Sequence, residues 1–202
     1  MKNISFFIIL FSIFCQSQNN YTSAQSIEKS EIQYKNQLEN SIVKNIQFVN
    51  IGPSVMSGRV TDIEVNPKNT SEFYVAYASG GLWHTINNGT TFDPIMDNSI
   101  TQNIGDFAVD WETKAIYVGT GESNSSRSSY PGIGIIKSSD NGKTWKNVGL
   151  RDSHHVSRIL INPNDNQHIV VAVIGHLYSK NKNSFSVYIT FGATPTSAAA
   201  LL

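Results

Sequence analysis

Val60-Thr-Asp-Ile-Glu-Val-Asn-Pro67 aligns without a gap with Val156-Ser-Arg-Ile-Leu-Ile-Asn-Pro163. A third copy, Ile104-Gly-Asp-Phe-Ala-Val-Asp110, lies between them, so the unit recurs after 44 and then 52 residues. A second β-branched run follows each copy, as in Ile169-Val-Val-Ala-Val173. Intervals of this length are typical of propeller blades, in which four antiparallel strands make one repeat. The sequence therefore predicts an all-β fold, a β-propeller of four-stranded antiparallel blades.

The predicted blades cover about residues 57–96, 101–149 and 153–191. The second interval is longer because it contains an insertion, Glu122 to Gly132. A turn motif is due again beyond residue 181, but the chain there has no Asp, no second Gly and no Trp. We therefore expect about two and a half blades in an incomplete ring. The atypical tail at 192–202 would be explained by a truncated or frameshifted reading frame.

A second signature supports the same repeat. Ser138-Ser-Asp-Asn-Gly-Lys-Thr-Trp145 fits the pattern S-x-D-x-G-x-T-W at every fixed position, and a softened copy runs from Thr85 to Phe92. In a hairpin turn the Asp can accept N–H bonds across the loop, the Gly can adopt a positive φ, and the Trp ring can pack under the hairpin. Turn chemistry thus accounts for the residue types, and we predict structural roles for Ser138, Asp140, Gly142, Thr144 and Trp145, and for Thr85, Asn87, Gly89 and Phe92.

The charge balance excludes one large class of partners. Fifteen Lys and Arg residues offset fifteen Asp and Glu residues, so the formal net charge is zero. No global field draws in a polyanion, and we expect no nucleic-acid partner. The sequence also has no phosphate-binding glycine loop and no nucleophile elbow, and we predict no cofactor.

The first 17 residues are predicted to be a signal peptide, with Lys2, an apolar run from Ile4 to Phe14, and then small or polar residues. As a helix the run spans about 16 Å, against about 30 Å of hydrocarbon, so we expect no transmembrane span in the mature chain. An alternative is a lipoprotein anchored at Cys15, although the preceding residue is bulky. Residues 18–47 are predicted to be a polar linker with room for one short helix. The expected location is secreted, periplasmic or on the cell surface.

The Asp-containing turn resembles the Asp-box, or BNR repeat, of sialidases, sortilin-like domains and xyloglucanase-like glycoside hydrolases. Three further stretches resemble secreted bacterial BNR-repeat proteins of the sortilin-like or "glycosyl hydrolase" group: Asn50 to Asp62, Gly119 to Tyr130 and Gly175 to Tyr178. The resemblance covers about residues 46–180. It implies a multi-bladed propeller in chains that usually run several times longer.

Strand direction decides which side of the propeller carries a site. Successive strands alternate, so the Asn66-Pro67 turn and the Asp-boxes share one face. The insertion and the residues just before each inner strand share the other face, where propeller sites usually gather. Its donors, acceptors and aromatic surface could bind a sugar or a peptide, and the candidate ligand-binding residues are Arg59, Glu122, Arg127, Tyr130, His154 and His155. The alternative is that these loops are merely solvated.

Two functions fit these observations. The first is a binding module for a protein or a polysaccharide, and the alternative is a glycoside hydrolase of the xyloglucanase-like type. In xyloglucanases a catalytic Asp lies in the segment that matches Tyr74 to Gly81, where this chain has Ala78 and Ser79. We therefore assign no catalytic residue. Two carboxylates about 5 to 10 Å apart across an open cleft would favour the hydrolase.

The inner strands carry charged residues at equivalent positions. Asp62, Asp106 and Arg158 coincide in the repeat alignment, so we expect Asp106 and Arg158 to lie side by side and form an ion pair. The adjacent His154 and His155 also suggest a metal site. Neighbouring residues of a strand point to opposite faces and no further ligands have suitable spacing, so we predict none.

Overall fold

The structure is a computed structural model that describes residues 23–46, 58–124 and 129–177, and the backbone of two strands at 185–190 and 199–201. The described residues form one helix, one 3₁₀ turn (Arg151–Ser153) and twelve strands. In chain order these are α1 (Ala24–Glu39), β1 (Val60–Val65), β2 (Phe73–Tyr77), β3 (Gly81–Thr85), β4 (Asp93–Pro94), β5 (Ile104–Asp110), β6 (Ala115–Thr120), β7 (Ile135–Ser138), β8 (Lys146–Gly149), β9 (Val156–Ile161), β10 (His168–Val173), β11 (Phe185–Thr190) and β12 (Ala199–Leu201).

The strands make three four-stranded antiparallel sheets, each of four consecutive strands. The first strand of each sheet lies beside the first strand of the next, so β1, β5 and β9 line the inner edge. The predicted all-β architecture of propeller blades in an incomplete ring is confirmed. The third sheet is more complete than expected, because β12 pairs with β11 within the stretch that the sequence assigned to a tail.

Apolar side chains fill the two gaps between sheets. Tyr74 and Leu82 of the first sheet pack with Phe107 of the second, and Tyr117 of the second packs with Ile159 of the third. The inner strand of the middle sheet is buried along its whole length because it has a neighbour on both sides. The fold is thus held together by repeated contacts between blades.

Helix α1 begins at the N-cap Ser23, whose hydroxyl accepts the Ser26 amide at 3.2 Å. No residue of the helix is buried. A bidentate ion pair joins it to the sheets, because both terminal nitrogens of Arg151 donate to Glu31 at 3.0 Å. Among the described residues, no helix combines the length and apolar character needed to cross a membrane. The signal segment at 1–17 lies outside the described residues.

The turn from Ser138 to Trp145 is closed by its own side chains. Asp140 Oδ1 accepts the Thr144 amide at 2.9 Å, and Asp140 Oδ2 accepts the Thr144 hydroxyl at 2.6 Å. The Gly142 amide donates to the Ser138 hydroxyl at 2.9 Å, with Gly142 at φ +83°. The hydrogen bonds that Thr144 donates, and then the one from Ser138, stabilise the charged carboxylate. They lower the pKa of Asp140 to about 2.

Candidate ligand-binding face

One backbone hydrogen bond recurs at the inner edge of every blade. The amides of Ala78, Gly121 and Ile174 donate to the carbonyls of Arg59, Asn103 and His155, at 2.9, 3.0 and 2.9 Å. Arg59, Asn103 and His155 therefore occupy equivalent positions, each just before an inner strand. The chain following each donor, including the insertion after Gly121, leaves the sheet at the same face.

Arg59 and Glu122 join the first blade to the second. Arg59 Nε donates to Glu122 Oε1 at 2.7 Å, and Arg59 Nη2 donates to Glu122 Oε2. Glu122 is only 1% exposed, whereas 46% of the Arg59 side chain is exposed. The hydrogen bonds to Glu122 raise the pKa of Arg59. The buried carboxylate thus fixes an exposed guanidinium in one orientation.

His155 is buried behind this pair. Its Nδ1 lies 2.8 Å from the backbone carbonyl oxygen of Glu122. A carbonyl can only accept, so Nδ1 carries the proton in this contact. Burial lowers the pKa of His155, so the ring is held in its neutral form. His155 therefore supports Glu122 and lies beneath the surface.

His154 packs against a histidine that the sequence analysis missed. The rings of His154 and His176 have centroids 3.6 Å apart, and His154 Nε2 is buried with no hydrogen-bond partner. Burial, and then the neighbouring His176, lower the pKa of His154. The repeat alignment could have pointed to His176. It stands two residues after Ile174, and the equivalent residue of the preceding blade, Ser123, belongs to the insertion on this face.

The insertion is fastened to both neighbouring blades. It begins at Glu122, which is held by Arg59 of the first blade, and its end is held where the Gly132 amide donates to the carbonyl of His154 at 2.6 Å. Asn103 Nδ2 also donates to the carbonyl of Pro131 at 3.3 Å. Tyr130 lies next to these anchors and is about half exposed. The candidate residue Arg127 lies outside the described residues.

The inner strands bring the predicted charged positions together. Arg158 Nη1 lies 3.4 Å from Asp106 Oδ1 and 3.9 Å from Asp62 Oδ2, so the predicted ion pair between Asp106 and Arg158 is confirmed. Asp106 Oδ2 accepts the Ile159 amide at 2.6 Å. Burial raises the pKa of Asp106 to about 7; the neighbouring Asp62 also raises it, while the Ile159 amide and Arg158 act in the opposite direction.

The face carries imidazoles and a carboxylate, but they do not converge on a common point. Over the described ranges, no three His, Cys, Asp or Glu side chains lie close enough together to hold a metal ion. The described contacts of this face are instead an ion pair, a tilted ring pair and loop anchors, which suit a pre-shaped binding surface.

Comparisons with known proteins identify the fold. No protein-family model matches the chain, and no curated protein sequence matches it. A GH74 enzyme of Niastella koreensis superimposes with a TM-score of 0.51 and 20% identity over 69% of this chain and 20% of that enzyme. An ancestral GH74 enzyme gives 0.48 and 15% over 66% and 17%, and the GH74 xyloglucanase of Xanthomonas campestris gives 0.46 and 13% over 63% and 20%. The chain thus spans about a fifth of the length of these enzymes and shares part of the fold of the first.

Proposed function

We propose that this chain is a β-propeller binding module for a protein or a glycan, with its ligand at the face that carries Arg59 and Tyr130. One observation carries the proposal: the insertion is anchored to both neighbouring blades, by Glu122 on one side and by Gly132 on the other. Residues that such anchors already hold in place lose little conformational entropy when a ligand binds to them.

The exposed groups on this loop and beside it have suitable chemistry. The Arg59 guanidinium is held by Glu122 and presents a planar set of N–H donors, which suits carboxylate or hydroxyl oxygens. The half-exposed Tyr130 offers an aromatic ring on which a sugar face or a peptide side chain can pack. Together they provide one polar and one apolar contact for an extended ligand.

The glycoside hydrolase remains the alternative, and the geometry gives it less support. Glu122 is buried and engaged by Arg59, so it is not available as an acid or a nucleophile. The Asp106 side chain is only 3% exposed and accepts the Ile159 amide, so it does not face an open cleft as a glycosidase carboxylate does. The positions that match the catalytic segment of xyloglucanases hold Ala78 and Ser79.

The test is a titration of the full chain with soluble polysaccharides, xyloglucan first because the turn motif resembles that of xyloglucanase-like glycoside hydrolases. Reducing ends are assayed in the same samples. We expect saturable binding without release of reducing ends, weakened about tenfold or more by Arg59→Gln and by Tyr130→Ala. Release of reducing ends that depends on a carboxylate would establish the hydrolase instead.

Lys114 supplies a matched control. Its side chain is 45% exposed and paired with Glu72 at 3.0 Å, much as Arg59 is paired with Glu122, but it lies in the β5–β6 turn on the opposite face. Lys114→Asn should leave binding unchanged, and an equal loss in both variants would contradict the assigned face. If no polysaccharide binds, photo-crosslinking from position 130 in the native host tests for a protein ligand.

The proposal includes export. The predicted signal peptide implies a mature N-terminus near Gln18 and places the module outside the cytoplasm. Mass spectrometry of the protein from its native host checks this, and a mature chain that retains Met1 would contradict it.

A further inference from the structure

Two consecutive histidines hold both anchors of the insertion. The backbone carbonyl of His154 accepts the Gly132 amide at 2.6 Å, and His155 Nδ1 donates to the carbonyl of Glu122 at 2.8 Å. The carboxylate of Glu122 in turn holds the Arg59 guanidinium. A series of contacts therefore runs from these histidines to the group that we assign to ligand binding. We call His154 and His155 the anchor histidines.

The backbone at the anchor histidines is strained. His154 has φ +53° and ψ −46°, and the His155 amide donates to the carbonyl of Ser153 at 2.5 Å. This is a γ-turn of the rare form with a positive φ, which is unfavourable for a residue other than glycine. Such a conformation persists only where surrounding contacts hold it. The ring contact between His154 and His176 and the bond from Gly132 are contacts of this kind.

Both rings of the anchor histidines are buried. His154 and His155 are 7% and 4% exposed, and His154 Nε2 has no hydrogen-bond partner among the described residues. The titratable groups that face these rings, besides each other, are His176, Asp152 and Glu122. Burial, and then His176, lower the pKa of His154, while Asp152 acts in the opposite direction. Burial also lowers the pKa of His155 against the effect of Glu122. Each ring therefore resists protonation as long as it stays buried.

We propose that the anchor histidines position Arg59 through Glu122 near neutral pH and release it when their imidazoles are protonated. The inference rests on the proposed function, since Arg59 is the ligand contact that they would control. Protonation removes no donor from His155, because the second proton binds at Nε2. It adds a positive charge to a buried ring, and water stabilises that charge best when the ring leaves its site. The bond from His155 to the Glu122 carbonyl is then lost.

Linkage sets the direction of the pH effect. A histidine in water has a pKa near 6.5, and burial lowers the pKa of both anchor histidines below that value. Their contribution to the anchored state is therefore fully present above pH 6.5 and is lost as the pH falls through the lowered values. Each proton gained on release shifts the equilibrium by up to about tenfold per pH unit. Relief of the strained γ-turn at His154 favours release in the same direction.

The first measurement needs no ligand. Arg59 is one of four arginines in the sequence, so nuclear magnetic resonance of the full chain with isotope-labelled arginine can follow its Nε–H group, assigned by its loss in Arg59→Gln. The readout is the protection of this group against hydrogen exchange, relative to free arginine at the same pH. Circular dichroism verifies the fold. We expect the protection to fall at least about tenfold between pH 7.5 and pH 5.

A double variant removes the titrating rings and keeps their contacts. His154→Phe retains a ring against His176, and His155→Asn retains an N–H donor at the position of Nδ1. This variant should keep the protection of Arg59 at both pH values. Should it fail to fold, His155→Asn alone is measured and should lose less protection than the wild type.

His168→Gln is the matched control. His168 is a partly exposed histidine that pairs with Asp165 at 2.8 Å, and it begins β10 on the opposite face. This variant should lose the protection of Arg59 at pH 5 as the wild type does. Unchanged protection in the wild type, an equal loss in the double variant, or retention of protection in His168→Gln would each overturn the proposal. Loss of the whole fold at pH 5 would overturn it as well.

Titration with xyloglucan at the same two pH values tests the proposed function separately. Binding that weakens about tenfold or more at pH 5 in the wild type, but not in the double variant, supports both proposals. If the protection of Arg59 responds as expected and xyloglucan binds at neither pH, the role of the anchor histidines is supported and this ligand is not. Binding of equal strength at both pH values would overturn their control of the binding face.

Discussion

The two faces of this propeller are built in different ways. The turn from Ser138 to Trp145 closes with hydrogen bonds between residues two to four positions apart. On the opposite face, Arg59 bonds to Glu122 across 63 positions and His155 bonds to Glu122 across 33. The face of the turn therefore carries local turn chemistry, described in the first two blades, and Tyr74 and Ile95 of the first blade add hydrogen bonds to the second turn. The other is a tertiary arrangement that exists only when three blades are packed together.

The two turns, Thr85 to Phe92 and Ser138 to Trp145, show how well their internal hydrogen bonds tolerate a change of residue. In the earlier copy Asn87 replaces the Asp, yet Asn87 Oδ1 accepts the Thr91 amide at 2.9 Å, as Asp140 accepts Thr144. The Gly89 amide likewise donates to the Thr85 hydroxyl at 3.0 Å. The softened motif thus keeps the bonds from the backbone amides, which need an oxygen acceptor and not a charge. The bond to the threonine hydroxyl is reversed, since Asn87 Nδ2 donates to Thr91 Oγ1 at 2.9 Å.

The largest expected effect tests whether the face that carries Arg59 and Tyr130 depends on contact between blades. Gly121 has φ +88°, and a Cβ added there would lie 1.9 Å from the carbonyl oxygen of His154 in the next blade. Gly121→Ala should therefore lower the free energy of unfolding by at least about 3 kcal/mol, because both backbone strain and a clash with rigid backbone are introduced. Urea denaturation of the full chain measures it.

Gly149→Ala is a control that introduces backbone strain without a steric clash. Its φ is +136°, but an added Cβ would meet nothing within 4 Å. Gly149→Ala should cost only about 1 to 2 kcal/mol, from strain alone. Equal losses in the two variants would mean that the close approach of the blades at Gly121 is not important for stability.

The contrast between the faces also explains what could be predicted from sequence. The turn from Ser138 to Trp145 could be predicted because every hydrogen bond of Asp140 lies within that turn. The ion pair between Asp106 and Arg158 could be predicted because the repeat alignment places equivalent inner-strand positions side by side. In both cases the sequence contains the spacing that the contact needs.

The remaining contacts could not be predicted because they depend on chain paths outside the repeat. Glu122 was predicted to lie on the face of the insertion, but its pairing with Arg59 depends on how the insertion begins. The contact between the His154 and His176 rings depends on the path of the chain after β10. The ion pair between Glu31 and Arg151 depends on where a helix outside the blades docks.

A second, intermediate effect concerns the inner-strand pair, which belongs to neither face. Asp106→Ala should cost about 1 to 3 kcal/mol because the Ile159 amide loses its acceptor. Arg158 is largely exposed, so its coupling to Asp106 should be only about 0.5 to 1 kcal/mol. A double-mutant cycle in urea at pH 8, where Asp106 is mainly charged, measures the coupling.

The raised pKa of Asp106 makes the free energy of unfolding depend on pH. The pKa of Asp106 is raised from its ordinary value to about 7, so its contribution to stability is full below about pH 4 and is lost as the pH rises through 7. The wild type should lose stability relative to Asp106→Asn between pH 5 and pH 8. Coupling to Arg158 should be smaller at pH 5 than at pH 8. Coupling that is zero at pH 8, or identical at both values, would contradict this account.

The smallest expected effect tests whether a change at Asp140 affects only its own turn. Asp140→Ala removes the acceptor of the Thr144 amide and hydroxyl and should lower the melting temperature by a few degrees. Asp140→Asn should cost less, because Asn87 makes the equivalent bonds in the earlier turn. The pKa of Asp140 is lowered to about 2, so the advantage of Asp over Asn is present above about pH 4 and lost as the pH falls through 2. Thermal unfolding of both variants at pH 7 and near pH 2 measures this.

Ligand affinity should stay within about twofold of the wild type, since the altered turn is on the opposite face and the hydrogen bonds of Asp140 close within that turn. A stable Asp140→Asn variant that no longer binds ligand would show that the two faces are coupled after all.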